Sequence, residues 1–241
     1  VPTALAAMGL VPAVAYMASW TGWFASAYGY GRNWAQATSS GWVYFIFDSL
    51  RSWWNYQWMV LSFHTGLDST HPYQSQPWQW PLLLRPVAFF YESPGGCGAA
   101  KCSQAVLGVG TPVIWYGAVI ALIALIAWYV ATRDWRAGAV LLAYAVGWLP
   151  WFYYAIADHR TMFLFYVAPM LPFMILALTL AAGLLIGPAD AEPMRRIIGA
   201  SLSGAFLLVT LINFWWLYPV IAAEIIPYDD WHRRMLLDRW I

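Results

Sequence analysis

The sequence is dominated by five long apolar runs, at 3–20, 112–130, 138–156, 162–186 and 197–219, none with a charged side chain in its interior. A membrane crossing by an α-helix needs about 20 mostly apolar residues to cover a hydrocarbon core of roughly 30 Å. In lipid only helices and closed barrels satisfy every backbone N–H and C=O, and uninterrupted apolar runs lack the alternation of a barrel strand. The runs therefore predict an all-α integral membrane protein, with about five transmembrane helices and amphipathic helices at the interface. Composition agrees. Apolar residues make up 62% of the 241-residue chain and charged residues 10%, against about 25% charged in a soluble domain. A globule of this size has too little interior to hide that much apolar surface. A net charge of +1 offers no basic patch and argues against a nucleic-acid partner.

Charge in the short loops orients the chain. Arg133 and Arg136 follow the second run and Arg195 and Arg196 follow the fourth, so both loops are expected on the cytoplasmic side. Asp158–His159–Arg160, the long segment 21–111 and the tail then face outward, although Arg233, Arg234 and Arg239 in the tail pull the other way. The expected organisation is a transmembrane helix at 1–20, an outward interfacial segment at 21–111, a four-helix membrane domain at 112–220 and an outward amphipathic tail at 221–241. The first residue is Val1, and the opening run has neither the basic flank nor the cleavage site of a signal peptide. The chain reads as a piece of a longer protein.

The outward segment is too rich in Trp, Tyr and Phe for disorder and too long for an idle loop. Residues 42–66 read as an amphipathic helix lying in the interface, with Leu50, Trp54, Trp58, Leu61 and Thr65 on one face and Arg51, Asn55 and Ser62 on another. From His71 onward, Pro72, Pro77, Pro81 and Pro86 forbid a regular strand and interrupt any helix. Polar donors alternate there with aromatic rings, as in a binding surface; the plainer reading makes Trp78 and Trp80 interface anchors. In the tail, 226–241 reads as a peripheral amphipathic helix, with Trp231, Met235, Leu236 and Trp240 expected toward lipid and Asp230, Arg233, Arg234 and Asp238 toward water. Cys97 and Cys102 suit a local disulfide on an outward face, with free thiols as the alternative. Two cysteines are an incomplete zinc set, so no metal is expected.

Taken together, several runs resemble the protein O-mannosyltransferase family. They are His71-Pro-Tyr-Gln-Ser75, Pro77-Trp-Gln-Trp-Pro-Leu-Leu-Leu-Arg85-Pro86, Ser19-Trp-Thr-Gly-Trp-Phe24, Phe89-Phe-Tyr-Glu92, Arg133-Asp-Trp-Arg136, Gly147-Trp-Leu-Pro-Trp151, Arg160-Thr-Met-Phe163, Pro169, Pro172-Phe173 and Ile226-Pro-Tyr228. The flavour is bacterial, without the inserted domain of eukaryotic members. The resemblance covers nearly the whole chain and implies the carboxy-terminal half of a GT-C type glycosyltransferase. Such an enzyme moves mannose from polyprenyl-phosphate-mannose, with inversion, to Ser or Thr of a protein crossing at the export translocon. It implies a plasma-membrane location, no cofactor beyond the lipid-linked donor, and partnership with the amino-terminal half of the same enzyme. The family's acidic catalytic pair belongs to that half, so no catalytic base is expected in this chain and the fragment alone is expected to be inactive.

On that reading, Arg85 and Arg160 are the candidates for the donor phosphate, because a guanidinium offers a planar, permanently charged fork. The plain alternatives are pairing of Arg85 with Glu92 and snorkelling of Arg160. His71 and His159 are candidate donors to phosphate or sugar, and Tyr73, Gln74 and Ser75 candidate contacts for sugar or acceptor. Trp78 and Trp80 are candidate stacking platforms. Two rival readings are a lipid-phosphate glycosyltransferase with a non-protein acceptor, and a non-catalytic scaffold or transporter subunit. Transporters gather polar groups at mid-membrane, whereas here they collect outside the spans.

Overall fold

A computed structural model of the chain describes residue 3 and residues 6–37 and 45–240. It divides into two compact units, Val1–Leu67 and Asp68–Ile241.

In the first unit, a five-residue π-turn, Ala6–Leu10, runs into α1 (Val11–Ser19), and α2 (Thr21–Ala25) follows directly. The helix through Ser19 is apolar but shorter than a crossing needs, so the span expected at 3–20 is not found at full length among the described residues. The long helix α3 (Phe45–Thr65) occupies most of the stretch expected as helical, whose residues 42–44 lie outside those described. Its apolar face, Leu50, Trp54, Trp58 and Leu61, is exposed, while Asp48, Ser49 and Ser52 are buried. The buried carboxylate of Asp48 meets Arg51 at 3.5 Å, and Ser52 Oγ accepts the Ala35 N–H. Edge-to-face contacts of Trp20 with Tyr16, Trp23, Trp53 and Tyr56 hold the helices together.

The second unit is a bundle of four membrane-length helical stretches with a proline-broken platform and a small sheet at one end. The first stretch is α4 (Pro112–Thr132). It stops where Arg133 turns left-handed (φ 56) and lays its guanidinium over Tyr129. Asp134 then caps α5 (Trp135–Trp148) by accepting the Arg136 N–H, a standard way to satisfy an orphan donor at a helix start. Arg136's side chain, then its backbone N–H, hold the Asp134 carboxyl well below the usual carboxylate range. Pro150 breaks the hydrogen-bond ladder, and the chain resumes as α6 (Pro150–Ile156). The third stretch begins with the 3-10 turn Leu164–Met170, which contains Pro169, and continues as α7 (Leu171–Ile186). The fourth is α8 (Pro193–Ile221). Gly199 lets α8 approach the end of α7: a Cβ there would stand 2.6 Å from the Ile186 Cα. Asn213 Oδ1 in α8 accepts the Val113 N–H at the start of α4. Ile120, Ile123, Leu142, Val146, Leu211 and Ile212 are largely exposed on the outer faces, a surface only lipid or other apolar chain can cover. The chain is mostly helical, and among the described residues four helical stretches are long and apolar enough to cross a membrane.

A three-stranded antiparallel sheet that the sequence did not announce is added to this helical frame. β1 (Val87–Glu92) pairs with β2 (Cys102–Gly108), and β2 pairs with the two-residue β3 (Ile226–Pro227). Cys97 and Cys102 are disulfide-bonded at the β1–β2 turn. The tail departs from expectation. In place of one amphipathic helix it forms β3, the short α9 (Tyr228–His232) and a 3-10 turn, Asp238–Trp240. Trp231 and Trp240 are buried in the protein core and do not face lipid, because the sheet packs Tyr91 on Trp231 and the platform offers Leu83 O to the Trp240 indole.

The platform explains much of the Trp content. Its prolines rule out regular pairing, so its carbonyls need other donors. Side chains supply them: Trp148 Nε1 donates to Pro77 O (2.9 Å), Trp115 Nε1 to Trp80 O (2.9 Å), Tyr116 OH to Leu82 O (3.2 Å) and Trp240 Nε1 to Leu83 O (2.7 Å). Indoles from α4, α5 and the tail thus bolt the platform to the bundle.

Candidate functional site

The loop between α6 and the 164–170 turn, the segment 68–111 and the tail all meet at one end of the bundle. The loops at 133–134 and 187–192 lie at the opposite end, since the four spans alternate in direction. Hydrogen bonds tie the first group together: Ser75 N–H donates to Met162 O at 2.8 Å, Thr161 Oγ1 to Ser69 O, and Tyr228 N–H to Lys101 O at 3.0 Å.

Residues 71–75 form a self-locked turn. His71 Nδ1 accepts the Tyr73 N–H, Gln74 Oε1 accepts the His71 N–H, and His71 O accepts the Gln74 N–H. The His71 ring meets Phe163 edge-on at 5.2 Å. Arg85 reaches back over this turn. Its Nε and Nη2 donate to Pro72 O at 3.2 and 3.0 Å, its Nη1 donates to Arg239 O, and its guanidinium sits 5.2 Å from the Tyr73 ring centre. These carbonyl acceptors orient the guanidinium.

Arg160 lies on the other side of Phe163, with 9% of its surface exposed. Its guanidinium is boxed by Tyr166, Trp151 and Tyr154 at 5.5, 5.8 and 5.8 Å. Nη2 donates weakly to Tyr166 OH at 3.4 Å, and the buried Nε has no hydrogen-bond partner. Among the described residues no carboxylate lies within ion-pair distance of it. A buried, unsatisfied cation is costly, and an anion is the chemistry that relieves it. Stacking of Trp151 on Tyr166 (4.9 Å) and of Phe163 on Phe165 (5.3 Å) extends the aromatic surface to Phe89.

Other expected contacts are placed differently. Trp80 is fully buried, with its Nε1 donating to Ser75 Oγ at 3.0 Å. Neither Trp80 nor Ser75 is a surface contact for sugar or acceptor, because the indole N–H and the hydroxyl satisfy each other inside the core. Trp78 is half exposed against Phe152, and His159 is exposed with a left-handed backbone (φ 48). Thus His71, Tyr73, Gln74 and Arg85 come together, Arg160 joins them through the Phe163–Tyr166 rings, and Trp78 and His159 stand on the same end of the bundle. Reading the sequence missed the cage residues Trp151, Tyr154 and Tyr166, and Trp240. The spacing of Trp151 and Tyr154, one helical turn apart, was the available signal.

Residues 49–240 match the family model described as the C-terminal four TMM region of protein-O-mannosyltransferase. A polyprenol-phosphate-mannose–protein mannosyltransferase of Mycolicibacterium smegmatis is 37% identical over 240 residues, covering 96% of this chain and 46% of that protein. The Mycobacterium tuberculosis protein of the same name is 37% identical, covering 97% and 46%. That of Corynebacterium glutamicum is 28% identical, covering 98% and 46%. The chain spans about half the length of these curated relatives. The solved Saccharomyces cerevisiae protein O-mannosyltransferase Pmt1-Pmt2 complex bound to the sugar donor superposes with a TM-score of 0.59 at 21% identity, covering 84% of this chain and 27% of that one; this likeness bears on the fold alone. The apolar spans, the platform at one end and the family match over most of the chain place this protein in the protein O-mannosyltransferase family, as its carboxy-terminal four-span region.

Proposed function

We propose that this chain supplies the donor-holding, carboxy-terminal membrane part of an enzyme that transfers mannose from a polyprenyl-phosphate carrier to Ser or Thr of an exported protein. The relatives' names specify that donor and a protein acceptor. The observation that carries the reading to particular residues is the buried Arg160 guanidinium, with its unsatisfied Nε, beside the turn that Arg85 grips.

As mannose leaves, negative charge develops on the carrier phosphate. Cations preset at that position lower the barrier, and more so where water is excluded. Arg85 and Arg160 take that role, with the exposed His71, Gln74, His159 and Trp78 and the half-buried Tyr73 as sugar or acceptor contacts. The platform end faces outward at the plasma membrane, as the arginines of the opposite loops favour. The acceptor hydroxyl needs a base. We assign it to the portion of the relatives that this chain does not span, so the chain alone is expected to be inactive. The test is Arg85→Ala in a full-length enzyme: mannosyl transfer should fall more than tenfold while the protein remains in the membrane. Wild-type turnover in that variant removes Arg85 from the site.

A further inference from the structure

The tail does more in this structure than close off the last span. After α8, Ala223 turns left-handed (φ 60) and its carbonyl accepts Gln104 Nε2 at 2.9 Å. β3 then joins β2, with Ser103 opposite Ile226 and Cys102 opposite Pro227. Trp231 packs on Tyr91 at 5.2 Å. The chain next drops Trp240 into the core, where it is 2% exposed. There its Nε1 donates to Leu83 O at 2.7 Å. Leu83 is itself fully buried and left-handed (φ 51), at the point where the platform's 3-10 turn ends, two residues before Arg85. The residue before Trp240 presents its carbonyl to Arg85 Nη1. One buried indole therefore fixes both the backbone leading into Arg85 and one acceptor on its guanidinium. The opposite side of the fork rests on Pro72 O and the Tyr73 ring.

We propose that Trp240 is a positioning residue for Arg85: by pinning Leu83 and presenting the Arg239 carbonyl, it holds the guanidinium at the orientation that meets the donor phosphate. The proposal rests on the reading of Arg85 as a phosphate ligand. A long, flexible side chain needs such a hold, because a fork aimed wrongly by a fraction of an ångström loses the bidentate geometry that distinguishes Arg from a point charge. The indole's apolar body keeps the anchor buried, and its single N–H gives the anchor a direction. Trp240 touches neither sugar nor phosphate in this account.

The experiment is a double-mutant cycle in the full-length enzyme, using Trp240→Phe and Arg85→Lys. Binding of polyprenyl phosphate is titrated, and kcat and KM are measured with polyprenyl-phosphate-mannose and an acceptor peptide. W240F, which keeps an aromatic ring in the site and loses the N–H, should weaken polyprenyl phosphate binding about five- to tenfold while the KM for the peptide stays unchanged. In the R85K background W240F should add less than a twofold loss, since the lysine has no fork to aim. Multiplying losses, or unchanged polyprenyl phosphate affinity in W240F, overturn the positioning role and leave Arg85 as a ligand. Unchanged affinity in R85K overturns the phosphate reading itself. Should W240F fail to fold, benzothienylalanine at position 240, which has the indole's shape without its N–H, carries the same comparison.

Discussion

Arg160→Met separates a structural from a donor-binding role, because the two predict opposite results. The guanidinium is 9% exposed and its Nε has no partner; an unsatisfied buried polar group costs about 1–3 kcal/mol. Its contacts with Tyr166, Trp151 and Tyr154 return about 0.5–2 kcal/mol apiece, depending on solvation. Methionine has similar length, forgoes the charge and keeps part of the ring contact, at about 0.3–1.5 kcal/mol for sulfur on an aromatic. These opposing changes leave the predicted stability within about 1 kcal/mol of wild type, in line with the near-neutral exchange of buried ions for apolar groups. Binding is a different matter. A hydrogen bond from a charged donor is worth about 1.5–3 kcal/mol, so affinity for polyprenyl phosphate should fall roughly ten- to a hundredfold. Thermal unfolding of the full-length enzyme in detergent gives the first quantity and calorimetric titration with polyprenyl phosphate the second. A variant that binds polyprenyl phosphate as wild type does, yet unfolds about 3 kcal/mol more easily, would refute the reasoning and make Arg160 a packing residue.

Trp80→Phe removes the donor to Ser75 Oγ and should destabilise the protein by about 1–3 kcal/mol; Ser75→Ala should cost a similar amount, and the pair together less than the sum, as chemical denaturation will show. Asp134 has a lowered pKa, so its contribution is present above about pH 4, the unfolded value, and is lost as pH falls toward its folded value. The melting-temperature gap between wild type and Asp134→Ala should accordingly be constant near neutrality and narrow below about pH 4; a gap that does not narrow contradicts the assignment. Membrane-impermeant thiol reagents applied from outside should label Cys97 and Cys102 only after reduction, and ready labelling beforehand would refute the bond in the native enzyme.

The membrane class and four of the spans were legible because an uninterrupted apolar run leaves few alternatives in lipid. The first run differs from the other four: its apolar content suits a crossing, and the helix among the described residues, Ala6–Ser19, is shorter than one. The sheet was hidden because β1, Val87–Glu92, is short and reads as part of an aromatic interface. The third strand, β3, is two residues long and pairs with β2 from more than a hundred positions away, a pairing no local pattern announces. Trp80 and Trp240 were misplaced for a common reason. Trp is abundant both at interfaces and in cores that need a directed N–H, and only the proline-starved carbonyls at Trp80 and Leu83 reveal which applies. His71, Tyr73 and Arg85 are close in sequence, and the structure brings them to one turn. The cage around Arg160 depended on how α6 and the 164–170 turn fold back, and that is tertiary information.

The central claim is that the donor phosphate sits at the platform end of the bundle, between the 71–75 turn, Arg85 and Arg160. A photoreactive polyprenyl-phosphate-mannose analogue, with the reactive group beside the phosphate, tests it most directly when crosslinked to the full-length enzyme and mapped by mass spectrometry. The account predicts adducts within 71–85 and 159–166, lost on competition with polyprenyl phosphate. Competable adducts confined to the opposite loops, at 133–134 and 187–192, would contradict it.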